Sequence, residues 1–533
     1  MKKYLTELID SNWFFVSLVA FVIVLPLSVA LVSVLGALVL FTALIEDSWN
    51  EKRKRIKERK VILLIPIIFL IYLISTLITL KYDSSFYDVK KTMFYVVFPL
   101  AFSMGKNINA HQKRFVFYAF AVSVLLAIII ALLRWKSGYY KVGAFGVHNI
   151  SLISHIRFSF QLVLIVLFFT ISLFYNYKWF SKQNLFFWIS AIFIYTSYLL
   201  FQQSLTGLLA LGVSVIFLLL YLFNLADTEW KIPLVVVFIL AVIVPFLYLD
   251  KAVKNFYDIE KVNPDEIEKT TSLGHKYSHD FSNKLVENGH YVFLYICTDE
   301  MREEWNKISE FKYDSIGQNG YPVSATLIRY LTSKGLRKDA NGIKALTKAD
   351  IINVEHGIAN VIFTQKYSLY PRVYLTIWEY YVYSITGDSN NKSFSQRIDY
   401  AKAALTIIKK KGLFGVGTGK WKAAFAESFN ENHSQLDQSN YASSHNQYLN
   451  YMVKFGITGF VLIMFLIIYP VIKTKRYRDP LFFLFLLFMF FVNFADSNLE
   501  SHMGSSFFFF FYCFFLTGPE DYHLIKEKSK ATA

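Results

Sequence analysis

Ser443-Ser444-His445-Asn446-Gln447-Tyr448-Leu449 closes a polar segment and opens an apolar run over 445–470, through Gly456-Ile457-Thr458-Gly459. An apolar run of that length is enough for a membrane-crossing helix, which needs ~20 residues. A histidine at its water-facing tip is costly to bury and well placed to move protons. Further apolar runs lie near 12–28, 29–46, 61–80, 92–105, 114–134, 157–176, 185–201, 205–224, 232–250, 480–495 and 503–518. The 533 residues are 55% hydrophobic and 18% aromatic, with mean hydropathy +0.38, which excludes an ordinary soluble globule. The expected fold is an all-α polytopic membrane protein of about 12 transmembrane helices, with a large, mostly helical outer domain containing a little β. Its expected domains are 1–250 (nine spans), 251–443 (outer domain) and 444–533 (three spans and a cytoplasmic tail).

Charge orients this map. Pro26 and Ser28 can turn the first apolar stretch into two short helices; one tilted helix is the alternative and leaves eleven spans. With twelve spans and both ends inside, the inner segments hold 22 Lys and Arg against 6 in the short outer loops, including Lys81 and Lys141. The positive-inside rule favours that arrangement. With eleven, the Lys52-Arg53-Lys54-Arg55 run and the Lys473–Arg478 run would face opposite sides. The net charge of +16 is not a nucleic-acid signature, because 251–443 carry only about +3. The rest sits in inner loops, beside anionic membrane lipids. No nucleic-acid partner is expected. Cys297 and Cys513 lie in different compartments, so no disulfide is expected. Glu7 and Asp10 before the first apolar run favour a retained signal-anchor over a cleaved signal peptide.

Residues 251–443 are too long for a structureless loop. His290–Cys297 reads as one strand, followed by a helix capped at Thr298 or Asp299 and running to about Ile308. Ser324–Ser333 looks helical. Thr347-x-x-Asp350 is a capping box, Pro371 opens another helix, and 251–280 read as a flexible connection. Gln396–Lys411 is a helix on which Arg397, Ala401, Leu405 and Ile408 share one face; this stripe is expected to pack down on the membrane part. Gly412–Lys420 is not a Walker loop, since Phe414 stands where a glycine is required. It reads as a helix stop and tight turn, or as backbone N–H groups facing a diphosphate. His275-x-x-x-His279-Asp280 has metal-ligand spacing but lies in loop sequence, and no metal is expected.

The ordered features resemble the O-antigen ligase and polymerase superfamily. There is a late outer loop with an Arg-bearing helix at Ser395-Gln396-Arg397-Ile398-Asp399-Tyr400. Leu413–Gly419 follows as Leu-Phe-Gly-Val-Gly-x-Gly, then His445-Asn446-x-Tyr448-Leu449 and Gly456-x-x-Gly459. The motifs cover about 393–460, and the closest pattern is that of Bacteroidetes-type members. One departure is Ser204-Leu205-Thr206-Gly207, where many members carry Ser-Arg-x-Gly. Arg157, in Ser154-His155-Ile156-Arg157 with Gln161 one turn further in, is a candidate replacement.

The resemblance implies an inverting glycosyltransferase that needs neither metal nor other cofactor. Its donor would be an undecaprenyl-diphosphate-linked glycan and its acceptor a glycolipid. His445 would be the general base, and Arg397 and Arg157 would hold the diphosphate. Asn446, Tyr448, His155, Gln161, Arg372, Gly415 and Gly417 are the candidate substrate-binding residues. Asp496, Asn498, Glu500 and His502 read as a polar hairpin or as a border of the same cavity. An O-antigen polymerase, a protein O-oligosaccharyltransferase and, outside enzymes, a transporter or membrane sensor remain alternatives.

Overall fold

The computed structural model describes residues 12–79, 85–138, 150–365 and 368–520. The expected inner segment 1–11, Lys81, Lys141 and the tail from 521 lie outside them. The described residues are 71% helix and 2% strand. It divides into two compact units: the first comprises 1–137, 150–238 and 396–533, the second 138–149 and 239–395.

The helices are α1 (Trp13–Val24), α2 (Val29–Ile45), α3 (Trp49–Glu58), α4 (Pro66–Ile78), α5 (Ser85–Lys91), α6 (Phe94–Met104), α7 (Ala110–Lys136), α8 (His155–Asn176), α9 (Lys182–Gln202), α10 (Leu205–Leu225), α11 (Thr228–Tyr257), α12 (Thr298–Ile308), α13 (Val323–Ser333), α14 (Ala340–Lys344), α15 (Lys348–Glu355), α16 (Tyr370–Thr386), α17 (Ser393–Lys411), α18 (Trp421–Glu431), α19 (Gln447–Lys473), α20 (Pro480–Val492) and α21 (His502–Leu516). One two-stranded antiparallel ribbon pairs β1 (Val286–Glu287) with β2 (His290–Tyr291).

Every apolar run of the sequence lies on a helix, but not every such helix is a full span. Among the described residues seven helices are long and apolar enough to cross a membrane, or eight if α2 and α3, bent by 113°, form one broken span. The other runs fold as α1, α2, α6, α20 and α21, of 11–17 residues. At 1.5 Å per residue these reach about 17–26 Å, less than a ~30 Å hydrocarbon core. Protein surrounds one of them, α21. In α21 every residue from Met503 to Leu516 is buried. Phe510 stacks on Phe21 with centroids 4.5 Å apart, and Phe515 stacks on Phe482 at 5.0 Å. The break between α1 and α2 falls where Pro26 stands, and Ser28 caps the second helix.

The basic loops of the first unit satisfy helix C-termini, whose last carbonyls lack partners within the helix. Arg55 donates to the Met104 carbonyl at 2.7 Å, Lys113 to Thr517 at 3.1 Å and Arg476 to Gly518 at 2.7 Å. Arg59 and Arg476 line one cavity of about 500 Å³. The two basic runs therefore lie at the same end of this unit.

The second unit has its own core, in which Met301, Trp305, Tyr330, Leu331, Ile343 and Val354 cluster. The capping box at Thr347/Asp350 forms, and Pro371 stands in the first turn of α16. The strand expected over His290–Cys297 does not: the ladder with β1 ends at Tyr291, Tyr295 turns into the left-handed region at φ 58°, and Ile296 makes only isolated bridges. That apolar run is buried piecemeal against α12 and α13. Residues 251–280 are likewise not featureless, since α11 runs to Tyr257 and isolated bridges pair Thr270 with Lys276 and Ser278 with Ile296.

Candidate active site

α19 starts at Gln447 because the Asn446 side chain accepts from the amides of Tyr448 and Leu449, at 3.0 and 3.1 Å. His445, one residue before this cap, has φ 48°. Left-handed backbone is uncommon outside glycine, though histidine is among the residues enriched there. Neighbours hold the turn: Ser444 donates through Oγ to Asn450 Oδ1 at 2.6 Å, and its amide reaches the same oxygen at 3.1 Å. The imidazole stacks on Tyr400 of α17, with centroids 5.5 Å apart and planes at 28°. Its Nδ1 lies 3.4 Å from Asp496 Oδ1, and the side chain keeps 40% of its surface exposed.

Asp496, in the loop before α21, joins two of the residues singled out from sequence. Its other oxygen takes Arg157 Nη1 at 2.8 Å, while Arg157 Nε donates to Ser501 Oγ at 3.1 Å. Burial opposes ionisation of Asp496, but the Arg157 guanidinium and His445 hold its carboxyl well below the usual carboxylate range. The third residue, Arg397, donates through Nε to the carbonyl of the adjacent Ala495 at 3.3 Å. Arg157, Arg397 and His445 thus meet on two consecutive residues, from three elements far apart in sequence. Leu205 also comes close to this end of α8: Ser204, which caps α10, lies 3.3 Å from Ser159, two residues past Arg157.

The face that α17 buries differs from the expected one. Tyr400, Ala403, Ala404 and Ile407 pack with Phe425 and Phe429 of α18 and Val453 of α19, whereas Leu405 is half exposed. The Arg397-Ala401-Leu405-Ile408 stripe is therefore corrected to Arg397-Tyr400-Ala404-Ile407. The reason is that α18, rather than the bundle below, supplies most of the packing surface.

The remaining candidates divide. Asn446 serves as the cap. Tyr448 donates its hydroxyl to the Phe490 carbonyl at 2.8 Å. It also lines an apolar cavity of about 300 Å³ between α19 and α20. His155 opens α8, where its carbonyl accepts from Gln202 at 3.2 Å. Gln161 is fully buried, and its Oε1 has no hydrogen-bond partner among the described residues. Arg372 belongs to the second unit.

Gly415 and Gly417, at φ 70° and 83°, belong to a loop that docks on a break in α19 at Gly456, itself at φ 70°. The amides of Val416 and Gly417 donate to the carbonyls of Val453 and Lys454 at 2.9 and 2.8 Å. Those of Thr418 and Gly419 go to Ser75 and Thr79, both at 3.0 Å. These N–H groups are committed to the protein, so they do not form a diphosphate cradle. The glycines allow two backbones to touch: a Cβ on Gly456 would lie 2.2 Å from the Leu413 carbonyl oxygen.

Sequence reasoning missed the most heavily charged part of this unit. Lys454 is buried and donates to Asp88 at 2.8 Å and to Glu500 at 2.9 Å. Trp421 Nε1 also reaches Asp88, at 3.0 Å. Glu500 further accepts from Tyr72 and, at 3.1 Å, from Asn450, the residue that holds Ser444. Lys454 sits in an apolar run, where an intramembrane charge is a functional or structural signal by itself; its partners could not have been named from spacing.

In the second unit, His275 Nδ1, Cys297 Sγ and a Glu300 oxygen all lie within 4.8 Å of one another. Glu300 is already bound by Thr271, His275 and the Ala340 amide, which accounts for its burial without a cation. His279 turns away, with Nε2 2.9 Å from the Glu268 carbonyl.

The fold and this site describe a multi-pass helical membrane protein with a polar cluster of arginine and histidine side chains gathered on Ala495-Asp496. Residues 360–464 match the family described as O-Antigen ligase, and this match supports the resemblance to the O-antigen ligase-like superfamily. The match includes Arg397, the Gly415–Gly417 loop, His445 and Lys454. An uncharacterized protein of Haemophilus influenzae is 26% identical over 155 residues, 29% of this chain. The chain spans 37% of that relative's length.

Proposed function

We propose that this protein transfers a glycan from an undecaprenyl-diphosphate carrier to a hydroxyl of a glycolipid acceptor of the lipid A-core type. The reaction would take place on the periplasmic face of the inner membrane. The observation that carries this reading is the meeting of Arg157, Arg397 and His445 on Ala495-Asp496. His445, with Nδ1 held by the Asp496 carboxylate, takes the proton from the acceptor hydroxyl through Nε2. The hydroxyl oxygen attacks the anomeric carbon as the bond to the diphosphate breaks, and the electron pair leaves on the diphosphate oxygen. Direct attack inverts the anomeric centre. Guanidinium groups of Arg397 and Arg157 stabilise the departing charge, a task suited to their planar, permanently charged forks. The apolar cavity beside Tyr448 suits the prenyl chain.

The proposed topology keeps twelve membrane-embedded helical runs, several too short to span alone, with both ends cytoplasmic and 251–443 on the periplasmic side. The clustering of Arg59 and Arg476 at one end of the first unit supports it. Reporter fusions at Lys57, Glu310 and Lys528 should read in, out, in; an inward reading at Glu310 overturns the mechanism too. The chemical test is in vitro transfer by folded variants. His445→Ala should lose about 10²–10⁴-fold in rate. Arg397→Lys should also impair transfer, and chelator should not. Near-normal turnover by His445→Ala removes it as the base. In a deletion strain, a normal-length lipid-linked glycan that never reaches the glycolipid marks a ligase; loss of chain lengthening marks a polymerase.

A further inference from the structure

The contact between the His445 ring and Asp496 does not by itself hold the two together. At 3.4 Å it is longer than the usual N–H···O bond of about 2.9–3.0 Å. Asp496 Oδ1 is also taken already, by the Ser497 amide at 2.8 Å. His445 stands in a turn of left-handed backbone and Asp496 in a separate loop before α21. The pair therefore depends on whatever fixes that turn against that loop.

Asn450, buried in the first turn of α19, reaches both. Its Oδ1 accepts from the amide of Ser444, the residue before His445, at 3.1 Å, and from Ser444 Oγ at 2.6 Å. Its Nδ2 donates to the hydroxyl of Ser497, the residue after Asp496, at 2.7 Å, and to Glu500 Oε2 at 3.1 Å. The orientation of this amide is forced, because Oδ1 faces an N–H group and Nδ2 faces a carboxylate, which only accepts. Glu500 is fixed in turn: its other oxygen accepts from Lys454 at 2.9 Å and from Tyr72. Gln447 ties the far end of the same loop to α19, its Oε1 accepting from the amides of Leu499 and Glu500 at 2.9 and 3.2 Å. The loop thus keeps an anchor when Asn450 is replaced. Asp496, paired with Arg157, presents oxygens that only accept, so the His445 ring must donate from Nδ1 and leave the Nε2 lone pair free.

We propose that Asn450 is the positioning residue of this site: its amide clamps the turn before His445 to the loop after Asp496, and so sets the tautomer and the aim of the imidazole. That the ring acts as a base rests on the transferase reading; that Asn450 places the ring does not.

The test uses the full chain in lipid nanodiscs. Asn450→Asp is isosteric but sets a second carboxylate against Glu500, and should release His445 from Asp496. Asn450→Asp combined with Glu500→Gln restores the bond with its polarity reversed. The introduced amide group donates to the introduced carboxylate, while its carbonyl oxygen still accepts from Lys454 and Tyr72. The first readout is nitrogen NMR of isotope-labelled histidine, with the His445 signal identified by its loss in His445→Ala; it needs no turnover. The wild type should carry the neutral ring's proton on Nδ1, Asn450→Asp should lose that signature, and the double variant should regain it. The second readout is transfer, in which kcat should fall about 10²-fold in Asn450→Asp with the donor KM unchanged, and recover in the double variant. Melting curves establish which variants are folded, and Asn450→Ala, with the same loss expected, replaces Asn450→Asp if that variant is not. An Nδ1 proton retained in the folded single variant overturns the proposal, as does a double variant no better than the single one, or a loss confined to KM. If the wild type transfers no glycan, the transferase reading falls, and the ring signature alone decides the role of Asn450.

Discussion

Two lysines are buried to the same extent, 3% exposed each, and treated in opposite ways. Lys454 in the first unit meets two carboxylates, Asp88 and Glu500. Lys338 in the second meets one backbone carbonyl, that of Tyr291, at 3.2 Å. Burial pushes the Lys338 ammonium down to about 8, Glu260 works weakly against this, and Arg337 adds to it. In an apolar helical bundle a charge persists only when local partners replace its lost hydration. In the second unit a buried lysine with few partners can shed its proton instead. The comparison teaches that the charges of the first unit form one object whose parts cannot be removed singly, whereas the buried cation of the second is a local cost.

The largest expected effect follows directly. Lys454→Met leaves Asp88 and Glu500 buried against each other and should cost about 3–5 kcal/mol, read as a lowered melting temperature in detergent. Lys338→Met should be near neutral or stabilising. If the two substitutions cost the same, the contrast is broken.

Next comes pH. The folded Lys338 value of about 8 lies below the ordinary lysine value of ~10.4. Burial disfavours its protonated form, so the penalty is fully present below pH 8. The unfolded chain binds the extra proton between the two values, so stability rises with pH across that window, by on the order of 3 kcal/mol. Hydrogen exchange of α12–α15 amides should slow as pH-corrected protection increases. Protection that is flat with pH, or that changes identically in Lys338→Met, would remove Lys338 as the cause.

Gly456→Ala should cost about 1–3 kcal/mol through its left-handed backbone alone, and more through the contact with Leu413. Because that break carries the loop contacts at Val453 and Lys454, the substitution should also slow transfer. The smallest effect is the control in the same unit. Gly212 lies within α10 with open space where a Cβ would go, so Gly212→Ala should stabilise by up to ~1 kcal/mol. A destabilised Gly212→Ala would show that the bundle resists any added methyl group, and the Gly456 result would lose its meaning.

Some of the candidate site was legible because its signals are local. His445-Asn446 at the start of an apolar run marked the beginning of a helix, and the helix begins there, with Asn446, a candidate substrate-binding residue, acting as its cap at 3.0 Å. Pro371, Thr347/Asp350 and the Gly412 stop likewise marked helix ends. What failed were the readings that needed to know a partner. The stripe on α17 was assigned by spacing, but two adjacent faces of that helix are apolar enough, and only the presence of α18 selects Tyr400 and Ala404. The His290–Cys297 run has strand composition, yet its ladder with β1 ends at Tyr291 and only isolated bridges follow at Ile296. The glycine loop resembled an anion cradle until its amides were seen bound to α19 and α4.

From sequence alone come the membrane class, the helical runs, the caps, the basic loops and the histidine, arginine and glycine motifs. Each depends on residues within a few turns of one another, where spacing and hydropathy determine the geometry. Tertiary structure alone decided that five apolar runs are short helices and that one of them, α21, is sheltered by protein along nearly its whole length, since a helix needs lipid-spanning length only if lipid surrounds it. Tertiary structure likewise joined Arg157 to His445 through Asp496, and Lys454 to Asp88 and Glu500, across 366 and 46 residues in the latter cases. In sequence those acids look like ordinary loop charges. Only the packing of distant helices removes water from them, and the free energy of that lost hydration forces each buried charge to find its opposite.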